Sequence, residues 1–363
     1  MILREKLKIN KFLIFALIFA LLNMGAIFFV FGAQKYSDSL QNIDLIHWFL
    51  GEDGNIVPGR VLRPLGPMLA VPFEFLGDGA GLIVQNIIFY LLCAILIFKI
   101  VDLIYHNKKQ ALLASLFFVT ATPVIESGLA YLTDMGAWFF YLLSIFLTLI
   151  YLKGKNEKFI ILNGFLSGIG VLMKENGGLG ALFFGLMILF SGEFNIKEKI
   201  FKIMRFGIFF LIPVVALQFL MYRYFRFTSL DWYLSNLPGS DGERLLLSSL
   251  RYFGQLFRVL GVLWIFFFIG VFQEWREKNW QRIKIYLALL PASFSFLLWT
   301  VGAAGRGVFI FAPLGILLAS YGCKKIGVIP MALLLLTVLM LNYFFCWLNP
   351  TIPFVDRLVE FIF

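Results

Sequence analysis

The chain has 363 residues, of which 61% are hydrophobic, 18% aromatic and only 14% charged, with a formal net charge of +10. Its mean hydropathy of +0.89 excludes an ordinary soluble domain, in which apolar residues make up nearer half of the chain. Long apolar runs without period-2 alternation exclude an outer-membrane barrel and predict an all-α polytopic membrane protein.

A bilayer core takes about 20 apolar residues per helix. About eleven such runs are read along the chain: 11–31, 82–104, 111–130, 132–152, 159–173, 177–191, 206–222, 255–273, 285–301, 307–322 and 326–346. The stretch 159–191 reads either as two short spans or as one long kinked one. The basic start followed by 11–31 resembles a secretion signal, but its length and the lack of a small-residue cleavage site predict a retained anchor. With the N-terminus in the cytoplasm, 20 of the 31 basic residues fall inside and nine outside, and 13 of the 21 acids fall outside. That distribution obeys the positive-inside rule and predicts a multi-pass protein of the plasma (inner) membrane. The net charge then reads as topology and attraction to anionic membrane lipids, not as nucleic-acid binding. Cys93, Cys323 and Cys346 show no CxxC or Cys/His spacing, so neither a disulfide nor a zinc site is expected. No repeat, low-complexity tract or soluble terminal domain is read, and the expectation is one transmembrane domain over 1–363. Within it, 1–205 is the candidate catalytic module and 206–363 the remaining helices.

The first outer loop, Gly32–Gly79, holds six of the 21 acids. Asp38 follows the first span, where partial desolvation at the lipid interface raises a carboxylate's basicity and suits a general base. Capping a helix that begins near Ser39 is an equally ordinary role. An amphipathic stretch, Leu40 to Leu50, comes next, with His47 and Trp48 read as interfacial packing. In Pro58-Gly-Arg60-Val-Leu-Arg63-Pro64, the proline suits a helix start, and two guanidinium forks beside it make a phosphate site. The alternative is contact with lipid headgroups. Glu52, Asp53, Glu74 and Asp78 read as solvated loop charges.

Glu126 closes the third run and Asp134 opens the fourth on the same outer side, so Asp134 is either a helix-dipole partner or a second active-site carboxylate. Lys174 and Glu175 lie deep in 159–191. They are intramembrane charges, commonly functional, unless the chain turns at Gly177-Gly178 and lifts them to the outer surface. The loop from Arg223 to Arg251, with Asp231, Trp232, Tyr233, Asp241, Glu243 and Arg244, is long enough for an acceptor-binding element. Arg306, an isolated outer arginine before Pro313, is a candidate for the phosphate of a substrate or for a lipid headgroup.

These residues resemble the GT-C superfamily of polyprenyl-phosphate-sugar-dependent glycosyltransferases, which includes protein O-mannosyltransferases and aminoarabinose transferases. Asp38 resembles the superfamily's acidic first-loop motif. Arg63-Pro-Leu-Gly-Pro-Met-Leu-Ala resembles its R-P-L-x-P-x-L element. Leu132-Thr-Asp134-Met-Gly-Ala-Trp-Phe-Phe followed by Gly164-Phe-Leu-Ser-Gly-Ile-Gly-Val-Leu-Met-Lys174-Glu175 resembles its D-x-x-x-x-F-F … G-x-x-x-G-x-x-x-x-x-K stretch. Ala304-Gly-Arg306-Gly-Val-Phe-Ile-Phe-Ala-Pro313 is similar to a late helix start in which an arginine precedes a proline. The resemblance is good over 1–205 and looser beyond; Ser39 follows Asp38 where relatives often carry a second acid. It implies inverting transfer of a sugar from a lipid phosphate to a glycan, lipid or protein acceptor. Asp38 and Asp134 would be catalytic, and Arg60, Arg63, Lys174, Glu175 and Arg306 would bind substrate or its phosphate. No cofactor is implied; a divalent metal on Asp134 and Glu126, as in some relatives, is not expected. The competing expectation is a non-catalytic transporter or flippase of a lipid-linked intermediate, which requires charges near the midplane and interrupted helices. An O-antigen-type polymerase requires a larger late loop with paired arginines.

Overall fold

The structure is a computed structural model and describes residues 10–52, 56–228, 231, 255–298 and 305–348. Among the described residues all regular structure is helical, with no strand. Among the described residues, five helices are long and apolar enough to cross a membrane: α1 (Lys11–Phe31), α5 (Ala80–Tyr105), α7 (Asp134–Gly154), α10 (Ile196–Phe225) and α15 (Val328–Trp347). Between them lie α2 (Ser37–Phe49), α3 (Pro58–Val61), α4 (Leu65–Ala70), α6 (Lys108–Val119), α8 (Lys158–Met173) and α9 (Gly180–Phe190). Later in the chain come α11 (Leu263–Glu277), α12 (Trp280–Ser293), α13 (Gly305–Val308) and α14 (Ala312–Gly322). Most of the loop read as an acceptor-binding element lies outside the described residues, as does Asp53; Asp231 accepts a hydrogen bond from Thr228.

Local chemistry sets the breaks. Asn10 caps α1 through its side chain, and Asn195 and Glu198 form a reciprocal capping pair at the start of α10. The run read as 111–130 is not one helix. α6 stops at Val119 because Thr120-Ala-Thr-Pro123 follows, and the residue before a proline resists the helical conformation. A single π turn, Val124–Gly128, then carries the chain to the loop before α7. The stretch 159–191 is two short helices: Lys174 is extended (φ −171°, ψ 150°) and a 3-10 turn, Glu175–Leu179, reverses the chain. Lys174 and Glu175 therefore stand at the tip of a hairpin, level with the first residue of α7.

Close packing of the hairpin depends on missing side chains. A Cβ on Gly170 would lie 2.7 Å from the Gly177 carbonyl oxygen, and one on Gly164 2.5 Å from that of Phe206 on α10. Gly164 and Gly168 thus form a small-xxx-small stripe along which α8 meets α10. Apolar burial contributes little between helices already in lipid, so buried polar contacts tie the bundle. Asn163 of α8 donates to Thr148 (2.9 Å) of α7, Ser167 to Ser144 (2.9 Å), and Asn23 of α1 to the Val119 carbonyl (2.9 Å). Apolar side chains on the outside of α1 and α10, such as Phe29, Ile208 and Phe219, are exposed, as lipid-facing surfaces require.

The loops fall at two ends. Basic turns, with Lys153, Lys155, Lys158, Lys202, Arg282 and Lys324, gather at one; α2, α3, the π turn, the start of α7 and the hairpin tip gather at the other. Gly168→Val should force α8 off α10 at a cost of about 1–3 kcal/mol, the usual range for overpacking. A clearly lowered thermal midpoint of the detergent-solubilised protein, against little change for Gly185→Ala on an open face, is the expected readout.

Candidate active site

The helix after the first span starts at Ser37, so Asp38 lies in its first turn and does not cap it. The cap is made elsewhere: the Tyr36 amide donates to Ser39 Oγ (2.9 Å). This frees the Asp38 carboxylate, and both its oxygens meet arginines. One contacts Arg60 Nη2, and the other accepts from Arg306 Nη2 at 2.8 Å. Arg60, within α3, is steadied by Gln41 one turn along α2, whose Oε1 accepts from Arg60 Nε at 2.6 Å. Arg63 follows, just before Pro64, which caps α4, and donates through Nε to Glu175 at 2.9 Å.

Asp134 is the first residue of α7 and is only 2% exposed. Its carboxylate is held from two directions, by Lys174 Nζ at 2.6 Å and by Arg306 Nη1 at 3.6 Å. Arg306, on α13, therefore bridges Asp38 and Asp134, residues 96 positions apart in sequence, while its guanidinium lies 5.8 Å above the Tyr36 ring. All seven residues singled out from sequence meet in one cluster at one end of the bundle. It includes Arg306 from beyond residue 205, so the cluster is not confined to the first module. Four cations face three carboxylates, which leaves one net positive charge.

Burial alone would raise the Asp38 carboxyl, but Arg60 and Arg306 together outweigh it and hold it below the ordinary carboxylate range. From the sequence, partial desolvation at the lipid interface is expected to raise its basicity; the two flanking guanidinium groups oppose the effect of that desolvation, and the direction is downward. Glu175 behaves likewise, burial opposed and exceeded by Arg63. Burial pulls Lys174 down despite Asp134.

Sequence reading passed over three participants. The Tyr36 hydroxyl donates to the Glu126 carbonyl at 2.8 Å, Gln41 orients Arg60, and Arg258 reaches across to the Glu126 carboxylate. Only Arg258 carried a signal, as an arginine inside an apolar run. Both oxygens of Asp38 and of Asp134 face cations, and Glu126, in the π turn, pairs with Arg258.

Residues 73–218 match the family model described as dolichyl-phosphate-mannose-protein mannosyltransferase. That stretch includes Asp134, Lys174 and Glu175; Asp38, Arg60, Arg63 and Arg306 lie outside it. A curated relative, dolichyl-phosphooligosaccharide-protein glycotransferase 2 of Archaeoglobus fulgidus, is 29% identical over 180 residues, 49% of this chain and 28% of the relative. Among solved structures, the oligosaccharyltransferase AglB of Archaeoglobus fulgidus, in complex with an inhibitory peptide and a dolichol-phosphate, superposes with a TM-score of 0.59 at 12% identity. The match covers 93% of this chain and 55% of that one. An Archaeoglobus fulgidus oligosaccharyltransferase in the apo form gives 0.58 at 12% identity, over 97% and 56%. The chain thus spans little more than half the length of the solved relatives, and the likeness to them is one of fold.

A carboxylate whose folded value is depressed contributes stability above its unfolded value, about 4, and loses it as pH falls through the lower folded value. The thermal midpoint is therefore expected to be level from pH 7 to 5 and to drop below about pH 4. Asp38→Asn should make that drop shallower, as read by a thermal-shift series across pH.

Proposed function

We propose that this chain of the GT-C superfamily is a membrane glycosyltransferase that moves a sugar from a polyprenyl-phosphate donor to an acceptor at the extracytoplasmic face. The observation that carries this reading is the net positive cluster of Arg60, Arg63, Lys174 and Arg306 interlocked with Asp38, Asp134 and Glu175. A lipid-phosphate sugar is a phosphodiester with one negative charge, which such a cluster complements.

In the proposed reaction an acceptor hydroxyl oxygen attacks the anomeric carbon while the bond from that carbon to the phosphate oxygen breaks. The electron pair of that bond leaves with the phosphate, which becomes a monoester of higher charge. Arginine forks and the lysine stabilise that growing charge, and electrostatic stabilisation of this kind usually lowers the barrier more than any other single effect. The acceptor's proton goes to Asp38. As the phosphate draws Arg306 toward itself, Asp38 loses a partner and becomes a better base at the moment it is needed. Asp134 holds Lys174 and Arg306 in place.

The apolar runs, each of which contains a helix, support about eleven passages in one membrane domain of the inner membrane, with the N-terminus cytoplasmic. The bias of basic turns to the end opposite the cluster supports the same orientation. We infer no metal requirement, because the carboxylates are paired with cations. A carrier is disfavoured because the ion pairs gather at the ends of the helices, whereas a carrier concentrates them at the midplane.

The test is purified protein in liposomes supplied with radiolabelled polyprenyl-phosphate sugars and a crude acceptor extract. Sugar should leave the lipid, and Asp38→Asn should cut turnover by on the order of a hundredfold or more. Arg63→Ala should weaken donor binding far more than Lys35→Ala, since Lys35 is exposed outside the cluster. Intact donor relocated between leaflets would instead make the protein a carrier.

A further inference from the structure

Outside the cluster, His47, Glu74 and Asp78 converge although 31 residues separate the first from the last. Their donor atoms all lie within 4.8 Å of one another. His47 sits in the last turn of α2, Glu74 on the 3-10 turn Val71–Leu76, and Asp78 between Gly77 (φ 134°) and Gly79 (φ 73°), where the chain doubles back into α5. We propose that these three side chains bind a divalent cation of the zinc type, pinning the end of α2 to the start of α5.

Two observations point to a ligand. The first is the imidazole: Nε2 lies 3.0 Å from Asp78 Oδ1 and Nδ1 lies 3.2 Å from Glu52 Oε2. A neutral ring has a single N–H, so one of these contacts sets a lone pair against a carboxylate unless a further proton or a cation intervenes. Donation of Nδ1–H to Glu52 leaves Nε2 to take a metal beside Asp78, the usual arrangement of a ligating histidine with an outer carboxylate. The second is Glu74. Its Oε1 accepts from the Gly79 amide, while Oε2 is shielded from solvent with no hydrogen-bond partner.

One nitrogen and two carboxylates, with a water in the fourth position, suit tetrahedral zinc at about 2.0–2.2 Å per ligand. Tetrahedral donors at that radius stand about 3.4 Å apart, so the His47–Asp78 pair at 3.0 Å opens slightly while Glu74, within 4.8 Å of both, closes in. Two carboxylates also balance the ion's charge. Sequence spacing gave no sign of this site, since its donors come from a helix end and a distant turn, without a cysteine. The proposal is independent of the transferase reading.

The test uses the full chain, purified in detergent through a tag without histidines, stripped with chelator and titrated with zinc chloride by calorimetry, with bound metal counted by mass spectrometry. One zinc per chain is expected. His47→Ala and Asp78→Asn should each weaken binding by at least tenfold, and Glu52→Gln by roughly 10–100-fold through loss of the outer carboxylate. Asp78 is on an exposed turn, so its variant guards against a fold lost with His47. No saturable zinc binding, zinc binding as tight in both ligand variants as in the unaltered chain, or binding of calcium in preference to zinc would each overturn the proposal.

Discussion

Arg306 is the member on which the arrangement turns. Its two terminal nitrogens face two carboxylates, Asp38 behind the first span and Asp134 at the head of α7, and so tie these two segments directly together. A charged group removed from water is tolerated only with such partners, and removal of one partner leaves the others exposed to the full cost of desolvation. Arg60, Lys174 and, through Glu175, Arg63 complete a set in which each charge answers another. The set also requires the hairpin of α8 and α9 to end where it does, for a straight helix through 159–191 would carry Lys174 past Asp134. Fold and site are therefore one problem: the glycines that let the hairpin close also set the height of its lysine.

Such a network has two faces. At rest it is self-satisfied, which keeps ionised groups stable at the edge of an apolar medium. It is also exchangeable, because an anion of the right shape offers the arginines what the carboxylates offer. In the proposed reaction, binding energy is in this way turned into a change of protonation tendency at Asp38 without any movement of helices.

Much of this was legible in the residues. Charges are so few that each polar residue near an apolar run stood out, and the seven singled out do converge. Helical architecture followed from run length and lack of alternation. What the residues could not display was partnership. Asp38 was weighed as a cap or a desolvated base because a linear chain shows no guanidinium from residue 306 beside it. The break after Val119 was hidden because Thr120 and Thr122 scarcely lower the local hydropathy, and only Pro123 hinted at it. Gln41 gave no signal, since a polar residue on an amphipathic helix is ordinary, and neither did Tyr36, one aromatic residue among many just before that helix. His47, Glu74 and Asp78 each looked like solvated or interfacial groups taken singly; proximity gives them meaning.

The hairpin of α8 and α9 has a consequence for the surrounding lipid. At 1.5 Å per residue, its 16-residue and 11-residue arms rise about 24 and 17 Å, short of the roughly 30 Å of hydrocarbon in a typical bilayer. Exposed Leu162, Phe165, Leu182 and Leu189 still call for acyl chains along both arms. Membranes accommodate such mismatch by thinning. Thinning of this kind beside the hairpin would bring the headgroup plane toward the depth of Lys174. For the proposed lipid-phosphate donor, that would leave less hydrocarbon to cross, so that the shape of the protein shortens the journey before any charge acts.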